Sequence, residues 1–467
     1  MDLDWLRDAV ERTLAKNRVT VVRACNGPGR RVTYHAPYLH SQVDYPGWLP
    51  EYFHFLWKPW QKLKEPWQVR YPHQWLWDSA SHAIVLSHLD PDLAKSEVRS
   101  LICAQDEQGF IPHLIWNPKR MHWLDRMFHF VRPKRPGSPY LQPPILAQVV
   151  EQIYRETGDD DFVSETVPSL IKFYLYIDRV RARSGDGLAE IITSYESGKD
   201  RSREYDLVYE ESNTVPPWRG PMTRLQIRYM LLGWDIERIF ASNRFRVKDL
   251  LFNCIYAQNL SSLFRLLALV GDPDQASLFQ EKAEQTEKSI LTKMYDPESG
   301  LFFSLDSRHE RDQQMKVSTV SSLMPLILDT ISQPQVERLI SEHMVNPKRF
   351  QAPYPIPTEP LDRPIEKAVD NVIWRGCQTW GIINWYIVSG IRKQASRFPE
   401  HFEEYHKIAD EITLKTYELV CREGFREYYN SESGRGYRAR DFGMSTLILD
   451  MAYNYRGENQ NIDSPQR

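Results

Sequence analysis

The chain has 467 residues and a formal net charge of −3, with hydrophobic and charged fractions of 42% and 26%. That composition is ordinary for a soluble globular protein, and it supplies no global field to attract nucleic acid or an anionic membrane. The 14 Trp, 24 Tyr and 19 Phe are a high aromatic load that suits both packed cores and stacking on sugar rings. Five cysteines (Cys25, Cys103, Cys254, Cys377, Cys421) are scattered without CxxC spacing, so reduced thiols are expected and a structural zinc site is not. The N-terminus carries no secretion-signal pattern and no apolar run approaches the roughly 18–20 residues needed to span a bilayer. A cytoplasmic protein is the expectation.

In chain order, residues 3–16 place Leu3, Leu6, Val10 and Leu14 on one helical face, and Val19–Val22 reads as a strand. The stretch Tyr34–Trp77 is dense in aromatics and broken by prolines, which predicts an arm packed over a core and a wall of a cleft. Ser79–Leu89 is an apolar helix, and Asp90-Pro91 opens another. Helices are predicted at 144–157, 161–182, 221–241, 247–271, 274–294, 317–330, 334–344, 370–393, 397–420 and 441–454. Gly-containing turns follow several of them, as at Ser184–Leu188, Tyr295–Phe303 and Tyr429–Gly434.

A helix, a short turn and another helix, repeated about six times without a low-complexity linker, describes an all-α chain folded as an (α/α)6 barrel. Its short hairpins and loops would form a cleft at one end. The predicted organisation is an N-terminal helix and arm over 1–70, the barrel over 71–455 and a polar tail over 456–467. A two-domain helical protein is the alternative. The loop Pro118–Arg135 carries six cations against Asp125 and suggests a lid for an anionic group, with a solvated surface loop as the plain reading.

The chemistry is expected in Thr193–Asp206, a polar loop holding Glu196, Asp200, Glu204 and Asp206 beside Lys199, Arg201 and Arg203. Glu196-Ser-Gly-Lys-Asp200, with Ser202 and Asp206, resembles the catalytic-acid loop of glycoside hydrolase family 63. Further blocks resemble that family in the same order: Tyr71-Pro-His-Gln-Trp-Leu-Trp-Asp78, Gln105…Gly109-Phe-Ile-Pro-His113, Gln142-Pro-Pro144, Trp374-Arg-Gly…Trp380…Asn384-Trp385 and Glu427-Tyr-Tyr-Asn430…Gly434…Asp441-Phe442…Ser445. The likeness spans most of the chain, from about Tyr71 to Ala452.

The resemblance implies an (α/α)6 barrel that hydrolyses an α-glycosidic bond with inversion, with Asp200 as general acid and Glu427 as general base. Such a pair sits about 6.5–9.5 Å apart to admit the attacking water. The resemblance also implies that Tyr71, Trp77, Asp78, His113, Gln142, Tyr195, Trp374, Arg375, Trp380 and Arg440 line the substrate pocket, with Arg438 and Arg440 able to meet a carboxylate on the leaving group. Mannosylglycerate or glucosylglycerate is the leading substrate; trehalase, an oligosaccharide α-glucosidase or a non-catalytic sugar-binding barrel are the alternatives. No cofactor, metal, nucleic acid or membrane partner is implied.

Plain structural readings stand beside these. Asp78 also fits a helix N-cap, His113 a buried structural histidine, and the tryptophans ordinary core. An acid that stays protonated near neutrality needs a raised pKa. Glu196 and Asp206 are expected to help, and Lys199 and Arg201 to point away. Arg201, Arg203, Tyr195, Tyr205, Cys377–Thr379 and Gly443-Met444 depart from the family pattern, so the pocket lining differs from it.

Overall fold

The structure, a computed structural model, describes residues 1–24, 29–39, 72–117, 137–209, 220–354, 356–363 and 373–456. Tyr71, the basic loop and most of the aromatic arm lie outside those residues.

Some helices are apolar all round and others on one stripe, and this difference builds the molecule. Leu76–Leu89 buries twelve residues of 14 and Leu250–Leu269 sixteen of 20, so both are enclosed on nearly every face. Phe402–Glu423 buries only Tyr405, His406, Ala409, Ile412, Thr413, Thr416, Leu419 and Val420, a single stripe. The enclosed elements form a closed inner ring. Leu76–Leu89 packs on Leu146–Thr157, then follow Leu250–Leu269, the 3-10 helix Val320–Ile327, Gly381–Arg397, and Gly443–Leu447 running into Ile448–Tyr453, which returns to the first. Pro91–Ile102, Asp160–Arg181, Pro273–Ser289, the turns Gln333–Met344 and Phe402–Glu423 each back the inner element they follow. The chain is an (α/α)6 barrel. Leu3–Asn17, the N-terminal helix expected from the sequence, fills the outer position against Gly443–Tyr453.

Turns from an inner to an outer helix are short and made by local chemistry. Gly158 ends one helix at φ 63 and the Asp159 carboxylate accepts the Phe162 N–H at 2.9 Å to cap the next. Asp90 and Asp272 cap Pro91–Ile102 and Pro273–Ser289 in the same way, each followed by proline at the first helical position. The returning connections are long. They carry the hairpins Arg18–Ala24 with Gly29–His35, Tyr295–Asp296 with Leu301–Phe302, and Arg426–Asn430 with Gly436–Arg440. All of them gather at the N-terminal ends of the inner helices, which is therefore the functional end.

Several elements differ from expectation for visible reasons. The helix expected over 221–241 breaks into Pro221–Leu231 and Ile236–Ser242, with Gly233 and Trp234 at positive φ between them. The helix expected at 317–330 is a 3-10 turn containing Pro325, which cannot donate to a regular ladder. Gly381, following the strand Gln378–Thr379, starts the helix expected from 370. Cys103 is disulfide-bonded, contrary to the expectation of reduced thiols throughout, whereas Cys254, Cys377 and Cys421 remain thiols. Cysteine spacing could not show this, because Cys103 meets the N-terminal hairpin only through the packing of Pro91–Ile102 against that hairpin. No helix among the described residues is long and apolar enough to cross a membrane.

Candidate active site

Asp200 and Arg201 occupy the centre of a turn closed by the Ser202 N–H donating to the Lys199 carbonyl at 2.9 Å. The turn cannot drift, because Gly198 before it lies on the indole of Trp77. A Cβ at Gly198 would fall 2.6 Å from Trp77 Cη2, and its φ of +75° is the left-handed region open to glycine. Glu427 comes from the opposite side of the mouth, on the hairpin Arg426–Asn430. Its Oε2 accepts the Ala439 N–H at 3.4 Å and its Oε1 lies 3.6 Å from Arg438 Nη1.

These carboxylates feel one another. Burial pushes Asp200 up to about 7, with Arg438 pulling it down and Glu427 pushing it up. Burial likewise raises Glu427 against the opposing pull of Arg438. Asp78, buried in the first turn of Leu76–Leu89, is pushed up to about 8 by burial, then by Glu427 and, more weakly, by Asp200. Trp75, not Asp78, is the N-cap residue of that helix, so the capping explanation for Asp78 does not hold. Asp78 from an inner helix, Asp200 from its turn and Glu427 from its hairpin thus share one poorly solvated mouth.

The other carboxylates of the loop have structural partners. Glu196 is fully buried against Arg181, with Oε1 2.6 Å from Nη2, and also accepts the Leu141 and Ile192 N–H groups at 2.9 and 2.8 Å. Asp206 is gripped by Arg375, whose Nη1 and Nη2 donate at 2.9 and 2.6 Å. Neither acts on Asp200 as expected; Glu427 does. Lys199 turns away from the cleft into a buried pairing with Glu204 and Asp249, as expected. Arg201 does not point away: it sits with Arg438 and Arg375, and burial and their charges draw it down to about 10.

Arg375, expected to touch substrate, is buried with its Nε on the Arg201 carbonyl at 2.8 Å and its other nitrogens on Asp206, so it holds the loop. Arg440 is exposed; Arg438, two residues earlier and at φ +55°, is the arginine beside Glu427. Strand alternation would put both on one face, but the register shift between Arg426 and Tyr428 and the left-handed Arg438 break the pattern.

An aromatic column runs along the same mouth. Trp374 stacks on Trp380 with ring centres 3.9 Å apart and planes within 4°, Trp77 tilts onto Trp374 at 6.4 Å, and Tyr428 follows Trp380 at 4.9 Å. Trp374 is held at φ +63°, an uncommon conformation for a bulky residue and one that turns the chain at the site. Gln142 accepts the Trp77 N–H at 3.1 Å, which satisfies an otherwise orphaned donor in the first turn of Leu76–Leu89. His113 bonds Ser138 through Nδ1 and lies between Trp75 and Tyr140, whose ring in turn meets Tyr195 at 6.1 Å.

Carboxylates whose proton affinity is raised by burial, beside stacked indoles at the loop-bearing end of an (α/α)6 barrel, are the equipment of a glycoside hydrolase. Comparison with known proteins narrows the class. Residues 71–445 match the mannosylglycerate hydrolase MGH1-like glycoside hydrolase domain, and the chain belongs to that family. The chain is 26% identical over 414 residues to a mannosylglycerate hydrolase of Thermus thermophilus, covering 81% of this chain and 93% of that one. A glucosylglycerate hydrolase of Mycolicibacterium hassiacum is 26% identical over 242 residues, covering 43% and 53%. A crystal structure of the family 63 mannosylglycerate hydrolase from Thermus thermophilus, in complex with Tris and D-glycerate, superposes with a TM-score of 0.73 at 23% identity, over 96% of this chain and 100% of that one, which shows the shared fold.

Proposed function

We propose that the protein hydrolyses a small α-mannoside or α-glucoside with inversion, mannosylglycerate or glucosylglycerate being the leading substrate, with Asp200 as general acid and Glu427 as general base. The observation that carries this reading is the pair itself. Two carboxylates from loops far apart in sequence reach one cleft, each raised by burial, with Glu427's charge raising Asp200 further. Asp200, raised to about 7, keeps a substantial protonated fraction at neutral pH and can give its proton to the departing oxygen. Glu427, restrained by Arg438, is the group that takes a proton from water on the opposite face of the ring.

Asp78 is suited to binding vicinal hydroxyls, and Trp77, Trp374 and Trp380 form the apolar wall against which a sugar face packs. Tyr71, His113, Gln142 and Tyr195 complete the proposed lining. Arg438, with Arg201 beside it, is the cationic edge suited to a carboxylate on the leaving group. That edge, and the names of the relatives, favour a glycerate conjugate over a neutral disaccharide.

The test is a panel of mannosylglycerate, glucosylglycerate, trehalose, kojibiose and nigerose, with proton NMR of the first product. The expected result is turnover of a glycerate conjugate with release of the β anomer. An initial α anomer, or preference for trehalose, would overturn the corresponding part. Asp200→Asn and Glu427→Gln are each expected to lower kcat by at least about 100-fold, the scale of acid–base catalysis, with folding retained.

A further inference from the structure

The turn that presents Asp200 is anchored beneath the cleft by a buried charged cluster with no role in the reaction proposed above. Lys199 Nζ bonds the Glu204 carboxylate and lies 2.9 Å from Asp249 Oδ2, and all three side chains are almost wholly buried. Glu204 Oε1 also accepts the Ser202 hydroxyl at 3.0 Å, and its Oε2 accepts the Ser304 hydroxyl at 2.7 Å. Asp249 Oδ2 accepts the Tyr205 hydroxyl at 2.7 Å, while its Oδ1 caps the inner helix Leu250–Leu269 through the Phe252 N–H at 2.8 Å.

The geometry of the turn gives the cluster its significance. Lys199 and Ser202 are the first and last residues of the turn whose centre is Asp200 and Arg201, and both side chains end on the same carboxylate, Glu204. The turn is thereby pinned at both corners, and through Asp249 it is pinned to the rigid start of an inner helix. Arg375 holds the remaining edge through the Arg201 carbonyl. The central residue Asp200 is then left to face Glu427, Asp78 and Arg438 across the cleft. A buried cation between two carboxylates is costly to assemble, and such a group is retained where it fixes one geometry.

We propose that Lys199, with Glu204 and Asp249, is a positioning cluster that aims the Asp200 carboxyl at the departing oxygen. The proposal rests on Asp200 being the general acid. A misaimed acid costs rate only where the leaving group needs a proton. An alkoxide leaving group needs one; fluoride does not.

The experiment compares kcat on the glycerate conjugate that the wild-type enzyme turns over with kcat on the matching α-glycosyl fluoride. Two variants are used: Lys199→Met/Glu204→Gln/Asp249→Asn, which removes the charges while keeping shape, and the milder Ser202→Ala, which frees one corner of the turn. The expected result is a fall in kcat on the conjugate of about 10- to 100-fold for the triple variant and several-fold for Ser202→Ala, with KM and fluoride hydrolysis nearly unchanged. Equal losses on both substrates would mean that the cluster only supports folding, and no loss in Ser202→Ala would equally overturn the proposal. Asp200→Asn is the control: if it loses both substrates equally or neither, the assignment of the acid fails instead.

Discussion

Gly198 rests its α-carbon on the six-membered ring of Trp77, so that a side chain at 198 would begin inside the indole. The residue just before the Asp200 turn is thus packed on the residue beside Asp78, and the position of one carboxylate is tied to that of another. Trp77 cannot give way easily, because Trp374 and then Trp380 continue the stack behind it.

Gly198→Ala therefore combines left-handed strain of about 1–2 kcal/mol with a displaced turn. A shift of about 1 Å in a catalytic group costs about 100-fold in rate. The expected outcome is a folded protein with a melting temperature a few degrees lower, kcat reduced about 100-fold and KM changed far less. An alanine variant with wild-type kcat would show that the contact does not position the Asp200 carboxyl.

The pH dependence follows from the same mouth. With Asp200 as the proposed acid and Glu427 as the proposed base, the rate should fall as pH rises through about 7 and fall again on the acid side. Stability runs with only one of these limbs. Asp78 at about 8 and Asp200 at about 7 are both raised above their unfolded values. Each contributes stability that is complete below about pH 4 and is lost as pH rises through the folded value. Asp78→Asn should then be more stable than wild type at pH 8, by up to a few kcal/mol at about 1.4 kcal/mol per pH unit, with the advantage gone at pH 4. Thermal melts of the two proteins at both pH values measure this.

Arg438 lies beside Glu427 and lowers the affinity of both Glu427 and Asp200 for protons. Arg438→Met should consequently move both limbs of the kcat/KM profile upward, by about one pH unit for an opposite charge at this range. It should also weaken binding of a substrate with an anionic leaving group. The profile is read on the glycerate conjugate, and a shift of one limb alone would separate Arg438 from one of the two carboxylates.

Local chemistry was readable in the sequence wherever short-range residues decide the structure. The Asp90-Pro91 helix start, the apolar helix beginning near Ser79 and the Glu196-Ser-Gly-Lys-Asp200 loop all announce themselves in this way. The unread features depend on partners brought from afar. Glu196 and Asp206 read as helpers of Asp200 until Arg181 and Arg375 arrive to neutralise them. Lys199 finds Asp249 only because an inner helix begins there. Arg438 rather than Arg440 reaches Glu427 because a bulge and a left-handed residue break the period of two, and neither carries a glycine to signal it. The inner ring closes through the 3-10 turns Val320–Ile327 and Gly443–Leu447, whose proline and glycine make them poor helices by propensity.

The Arg181–Glu196 pair offers the sharpest test of how the loop is held. The two side chains exchange bonds of 2.6 and 3.0 Å with almost no exposure, and Glu196 also satisfies the Leu141 and Ile192 N–H groups. Arg181→Met would strand a carboxylate in a dry interior, at a cost of about 3–5 kcal/mol. That is a large part of the roughly 5–15 kcal/mol typical of a folded domain. Glu196→Gln/Arg181→Met removes both charges, and the remaining amide oxygen still accepts a backbone N–H. The double variant should therefore be more stable than Arg181→Met alone, even though it carries one more substitution. Denaturation of the wild type, both single variants and the double variant measures the coupling, and strictly additive losses would show that Glu196 is not held by Arg181. Because Glu196 lies four residues before Asp200 in the same loop, the kcat of the folded Arg181→Met protein should fall as well, and the double variant should recover part of that loss.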